Sequence, residues 1–314
     1  MRPAYSIVLF TTASGAGYGM LAWLGILGAA GLLPMAPPFG LAAFALAVAL
    51  VGTGLIASTF HLGHRERAWR AFSQWRSSWL SREGVAAVAT FVPVALYGGG
   101  WVLLGRTQGP WAVAGLATAG MALLTVYCTS MIYGSLKTVP AWHNGWVSPA
   151  YLILSLASGG VLLSAVAALT AEAPPELTRL TLLALAAGLA VKAGYWRHID
   201  RPDDASTAET ATGLGRIGAV RALLSPHTAD NWVLREMGYR VARRHAGTLR
   251  RIAVILGFAL PLAALGVTLA VAGFTGALTF AAAVSLGAGF AVERWLFFAE
   301  ARHVVTLFYG EQRT

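Results

Sequence analysis

Residues 252–292 read IAVILGFALPLAALGVTLAVAGFTGALTFAAAVSLGAGFAV. The run holds no Asp, Glu, Lys or Arg. A bilayer's hydrocarbon core, about 30 Å thick, is crossed by about 20 apolar residues in helix. This stretch is therefore long enough for two crossings, with Pro261 as a kink in the first and a tight turn near Gly273 between them. A second uncharged run extends from Pro3 to His64. Neither shows the period-two alternation of a barrel strand, which leaves the helix as the spanning structure. Across the chain 57% of residues are hydrophobic and 11% charged, where a soluble domain carries about 25% charge. The fold class is an all-α integral membrane protein.

Extended in both directions, the same reading gives one domain over residues 1–314 with eight transmembrane helices. They lie at about 5–30, 40–61, 84–105, 110–136, 147–171, 177–197, 248–271 and 275–297. The prolines of Pro34-Met35-Ala36-Pro37-Pro38 and Glu172-Ala173-Pro174-Pro175 end helices. The 36 glycines suit close helix–helix approach in lipid. No internal repeat is visible and no charge is read at mid-span, so a small-solute transporter is the weaker reading.

The formal charge is +10. On a soluble protein that would suggest nucleic acid; here the basic residues sit in loops beside apolar spans, and no nucleic-acid partner is expected. Eight spans place the N-terminus, the loops after spans two, four and six, and the C-terminus on one face. That face receives all of the 23 Lys and Arg except Arg106 and Arg179, and all seven histidines. The positive-inside rule makes it cytoplasmic, with both termini inside. The polar loop 198–248, between spans six and seven, is basic and amphipathic, with Thr228-Ala229-Asp230-Asn231 as a helix N-cap. It reads as an interfacial helix on lipid head groups, as a docking surface for a soluble partner, or as both.

Several chemistries are set aside. Cys128 is the only cysteine, so no intrachain disulfide, iron–sulfur cluster or structural zinc is expected in this chain. No haem is expected either, because no histidine lies mid-span and His61 alone has a suitable depth. His61 and His64 have no evident third ligand, so no metal site is read. Gly213-Leu214-Gly215-Arg216-Ile217-Gly218 matches a dinucleotide fingerprint but lacks the βαβ unit that gives the motif its meaning, and reads as a glycine turn.

The chemistry concentrates between spans two and three. There Phe60-His61-Leu62-Gly63 leads through His64, Glu66, Arg67 and a series of Trp and Arg to Ser78-Trp79-Leu80-Ser81-Arg82-Glu83. Span two ends at His61 and span three begins near Glu83, so both can lie at one depth near the interface. An imidazole there can hydrogen-bond a quinone oxygen and pass on its proton, and a desolvated carboxylate can relay that proton. The competing reading makes them interfacial groups paired with Arg65 or Arg82. Most of the Trp and Arg between them form an interface belt. Arg67, about one and a half helical turns from His61, is the exception singled out. A second cluster, Tyr133, Lys137, Trp142 and His143, ends span four. It reads as helix-end anchoring, or as lining a quinone pocket or docking surface. Glu293 and Arg294 read as a local charge pair.

These segments, in this order, resemble the dimethyl sulfoxide reductase membrane-anchor family. The resemblance is carried by Phe60-His61-Leu62-Gly63, Arg67-Ala68-Trp69-Arg70-Ala71-Phe72 and Ser78-Trp79-Leu80-Ser81-Arg82-Glu83. It continues through Tyr133-Gly134-Ser135-Leu136-Lys137 with Trp142-His143-Asn144, Pro226-His227-Thr228 with Asn231-Trp232, and Arg235-Glu236-Met237-Gly238. The resemblance implies a bacterial cytoplasmic-membrane anchor of eight helices without a redox cofactor of its own. It implies an iron–sulfur electron-transfer subunit and a molybdopterin catalytic subunit as partners, and a quinone, ubiquinone or menaquinone, as substrate. The family's quinone-site histidine falls on His61 and its glutamate on Glu83, with Gly63 and Arg67 at further matching positions. His64, Tyr133, Lys137 and Trp142 are further pocket or docking candidates. Because the charge count places this segment in the cytoplasm, the chain looks more like the anchors of cytoplasm-facing sulfite-oxidising enzymes, which reduce quinone. A quinol-oxidising reductase anchor is the alternative, and a b-type cytochrome subunit a weaker one.

Overall fold

The computed structural model describes residues 3–60, 62–201, 206–221, 223–224 and 241–309. His61 and residues 225–240, with the expected N-cap at Thr228, lie outside them. Among the described residues eight helices are long and apolar enough to cross a membrane: α1 Tyr5–Ala29, α2 Pro37–Thr59, α3 Trp79–Leu104, α4 Pro110–Gly134, α5 Val147–Thr170, α6 Pro175–Ile199, α7 Arg244–Ala270 and α8 Thr275–Ala299. Their starts follow ordinary capping chemistry. Proline opens α2, α4 and α6, where its missing N–H has no intrahelical partner to lose. Helix α3 begins one turn earlier than its hydropathy predicts because the Ser78 hydroxyl accepts the Ser81 N–H as an N-cap. It ends on Gly105 at φ 63°, in the left-handed region that glycine adopts without strain.

Helix α1 lies at the centre, against α2, α4, α5 and α8, and most of its residues are buried. A helix apolar all round has no face to reserve for water, and its small residues let neighbours close in. A Cβ at Gly19 would collide with the Ser155 carbonyl of α5, and one at Gly159 with the Gly19 backbone. Replacement of Gly19 by Ala is expected to destabilise the bundle by about 1–3 kcal/mol or more, by overpacking. Gly52→Ala, with nothing within 4 Å of the added carbon, is expected to leave the midpoint of thermal unfolding in detergent unchanged or slightly raised.

In α7 a π-helical turn, Ile255–Ala259, precedes Pro261. The same turn brings Gly257 against Gly289 of α8. One expectation needs correction, the absence of charge within the spans. Lys192, Glu293 and Arg294 are all buried inside the bundle. Lys192 stands two turns from the end of α6, about 10 Å inward.

Candidate functional site at the basic face

The chain leaves α2 at Thr59 and enters α3 at Trp79, with a 3-10 helix, Arg65–Phe72, between them. The first turn of α3 holds this connection. Ser81 Oγ donates to the Ala71 carbonyl and accepts the Gln74 N–H at 3.1 Å. The Arg82 guanidinium donates to the carbonyls of Trp75 at 2.9 Å and Arg76 at 2.7 Å, and lies over the Trp79 ring, 4.2 Å from its centroid. Arg82 is thereby spent on the loop. The next residue, Glu83, is turned into the bundle and is only 5% exposed. Its carboxylate Oε1 lies 3.3 Å from Thr129 Oγ1 of α4, whose one proton is shared between Glu83 and the Thr125 carbonyl at 3.0 Å.

The other expected site residues separate into groups. Gly63, His64 and Arg67 are exposed on the connection. His64 Nδ1 lies 3.0 Å from Glu66, and Arg67 Nε lies 3.6 Å from the same carboxylate. Lys137 is exposed beyond α4. Tyr133 is half-buried. It packs edge-on to Trp142 and to Phe298, each at 5.2 Å between centroids. Trp142 is buried, and its Nε1 donates to the Phe297 carbonyl at 2.9 Å, pinning the α4–α5 connection to the end of α8. The structure thus packs Tyr133 into the aromatic cluster, while Gly63, His64 and Arg67 are exposed.

Behind Thr129 lies a narrow cleft among α1, α4, α5 and α8, mostly apolar in its walls, into which Ser14, Tyr18, Thr129, Tyr151, Glu293 and Arg294 bring polar groups. Lys192 Nζ of α6 meets Glu293 Oε1 at 2.6 Å. Arg294 Nε is 3.7 Å from the other Glu293 oxygen, and its guanidinium lies 3.9 Å from the centroid of the Tyr151 ring. Nearer the surface, Arg250 Nε donates to Glu300 at 2.8 Å, and its terminal nitrogens donate to both Asp200 oxygens at 2.7 and 3.0 Å. Glu293 and Arg294 are therefore more than a local pair. A lone lysine in the apolar pattern of span six, with an acid–base pair at the end of span eight, was the available sequence signal.

Eight apolar helices among the described residues make a multi-pass membrane protein, and the comparison with known families says which kind. The model of the DMSO reductase anchor subunit (DmsC) matches residues 2–310. The chain belongs to this family. Among curated relatives of this anchor subunit, the C subunit of sulfite dehydrogenase from Allochromatium vinosum is 31% identical over 98% of this chain and 99% of its own length. The YnfH chain of an anaerobic dimethyl sulfoxide reductase from Escherichia coli is 34% identical over 37% of this chain and 41% of its own length. A second anaerobic dimethyl sulfoxide reductase of the same organism has a C-type chain that is 33% identical over 36% and 39%.

Proposed function

We propose that this anchor subunit binds quinone at the basic face and passes electrons to it from the iron–sulfur subunit of a molybdoenzyme, with sulfite as the substrate oxidised by the molybdopterin partner. Glu83 carries the reading: a carboxylate held inside an apolar wall, one turn from the charged surface, with a single hydroxyl donor. Ionisable groups so placed are costly unless they are used. Reduction of a quinone takes two electrons and two protons. His61 would hydrogen-bond one ring oxygen and Glu83 would deliver protons, with Gly63 and Arg67 shaping the outer edge and Tyr133 the inner one. Sulfite is favoured over a reductase substrate because the similarity to the sulfite dehydrogenase relative runs the length of both proteins, whereas the likeness to the reductase relatives covers little more than a third.

The test is to purify the chain with its co-assembled subunits and follow reduction of a short-chain ubiquinone or menaquinone on addition of sulfite. Sulfite-dependent quinone reduction is the expected result. A complex that oxidises sulfite with a soluble acceptor but never reduces quinone contradicts the reading. Quinol oxidation coupled to a sulfoxide would favour the reductase alternative.

The basic face is proposed to be cytoplasmic, on the distribution of Lys and Arg, and to carry the docked partner. Ser73→Cys, exposed on the α2–α3 connection, is expected to resist a membrane-impermeant maleimide in intact cells and to react in inverted vesicles. The opposite pattern reverses the orientation.

A further inference from the structure

Glu83 is buried, so each proton it hands on must be replaced along some route. The cleft beside Thr129 offers one. Tyr18 Oη lines it with no hydrogen-bond partner among the described residues, and Arg294 Nε and Glu293 Oε2 have only each other, at 3.7 Å. Buried polar atoms are rarely left so, and a shared water is the usual remedy. The cleft offers about 20 Å³ to the centre of a water molecule, enough for one. At one end Thr129 joins it to Glu83. At the other end Glu293 joins it to Lys192.

From Lys192 outward the charges alternate in sign. The Glu300 carboxylate is near enough for its charge to reach Lys192. It is held in turn by Arg250, which also grips Asp200. Asp200 is 56% exposed at its side chain. Burial raises the Glu300 carboxyl above the ordinary range, against the pull of Arg250, so it exchanges protons nearer neutrality than a surface acid does. A purely structural ion pair would need neither the cleft nor the exit at Asp200.

We infer that water in this cleft carries protons between the Glu293–Lys192 pair and Glu83, and that Glu300 and Asp200 connect the pair to the aqueous phase on the basic face. The inference rests on the quinone reading above. For each proton, Asp200 takes it from bulk water, a water beside Arg250 carries it from Asp200 to Glu300, and Glu300 passes it on to Lys192 as that ammonium gives its own to Glu293. Glu293 passes one through the cleft to Glu83, which protonates the reduced ring oxygen. Every group ends as it began, and the two electrons come from the partner's iron–sulfur clusters. Arg250 and Arg294 keep their protons and hold the carboxylates in place.

The experiment is steady-state sulfite–quinone turnover by the assembled complex carrying Lys192→Met. This change interrupts the route yet leaves Glu293 paired with Arg294. Expected are a kcat lower by about 10²-fold, an unchanged KM for quinone and a larger solvent deuterium isotope effect. Ser158→Val narrows the cleft without touching the ion pair and is expected to act in the same direction, which covers failure of the first variant to assemble. Wild-type kcat and isotope effect in the assembled variants overturn the route while leaving the quinone reading intact. A wild-type complex unable to reduce quinone removes the reading itself.

Discussion

Glu83→Gln is expected to lower quinone turnover by the assembled complex by about 10²–10⁴-fold, the range lost when a positioned acid–base group is removed. Glutamine keeps the volume of the side chain, and its amide oxygen still accepts from Thr129, so assembly and thermal stability should hold. What disappears is the ability to carry a proton. The loss should therefore fall on kcat, with the KM for quinone little changed. Arg67 supplies the contrast. Its side chain is 57% exposed and turned toward Glu66, itself exposed, and ion pairs in that setting contribute little. Arg67→Gln is expected to affect turnover far less than Glu83→Gln. Equal losses would place the quinone ring against the outer connection rather than the bundle wall.

Glu293→Gln is expected to be the most damaging single substitution for stability. Glu293 is the one carboxylate in contact with both Lys192 and Arg294 among the described residues, and all three are buried. Removing it strands two cations inside the bundle. Breaking a buried pair from one side costs about 3–5 kcal/mol, because the remaining charge stays desolvated. Lys192→Met is expected to cost less than half as much. It leaves Glu293 beside Arg294 and gives up the contact of the ammonium with the Tyr195 ring, 4.1 Å from its centroid. Thermal unfolding of the two variants in the same detergent reads the asymmetry. Equal costs, or a neutral Glu293→Gln, would mean that the cluster does not hold the charges assigned to it.

The spans were readable because uncharged runs as long as residues 252–292 have few alternatives in a bilayer. Hydropathy set their centres well and their ends less well. It missed the first turn of α3, which is built from Ser78, Trp79 and Arg82, polar or amphipathic groups that cap or snorkel. That turn carries Glu83 inward. Glu83 itself was legible as an acid at the head of an apolar span. Its partner was not, because threonines in membrane helices usually satisfy themselves on their own backbone, and nothing local marks Thr129 as facing α3. The Lys192–Glu293 contact joins α6 and α8 about two turns in from their ends, residues far apart in sequence, and depends on the rotation of both helices. Trp142 carried an aromatic signal at the right face, but only its bond to the Phe297 carbonyl shows that it ties α8 to the α4–α5 connection.

The account turns on where quinone binds, and labelling of the assembled complex with a photoreactive short-chain quinone tests this most directly. Peptide mapping should place the label between Thr59 and Glu83 or on the end of α4 from Tyr127 to Gly134, with loss of labelling in the presence of excess unmodified quinone. Competable label confined to the opposite face, at the α1–α2 or α3–α4 connections around Met35 and Arg106, would contradict it.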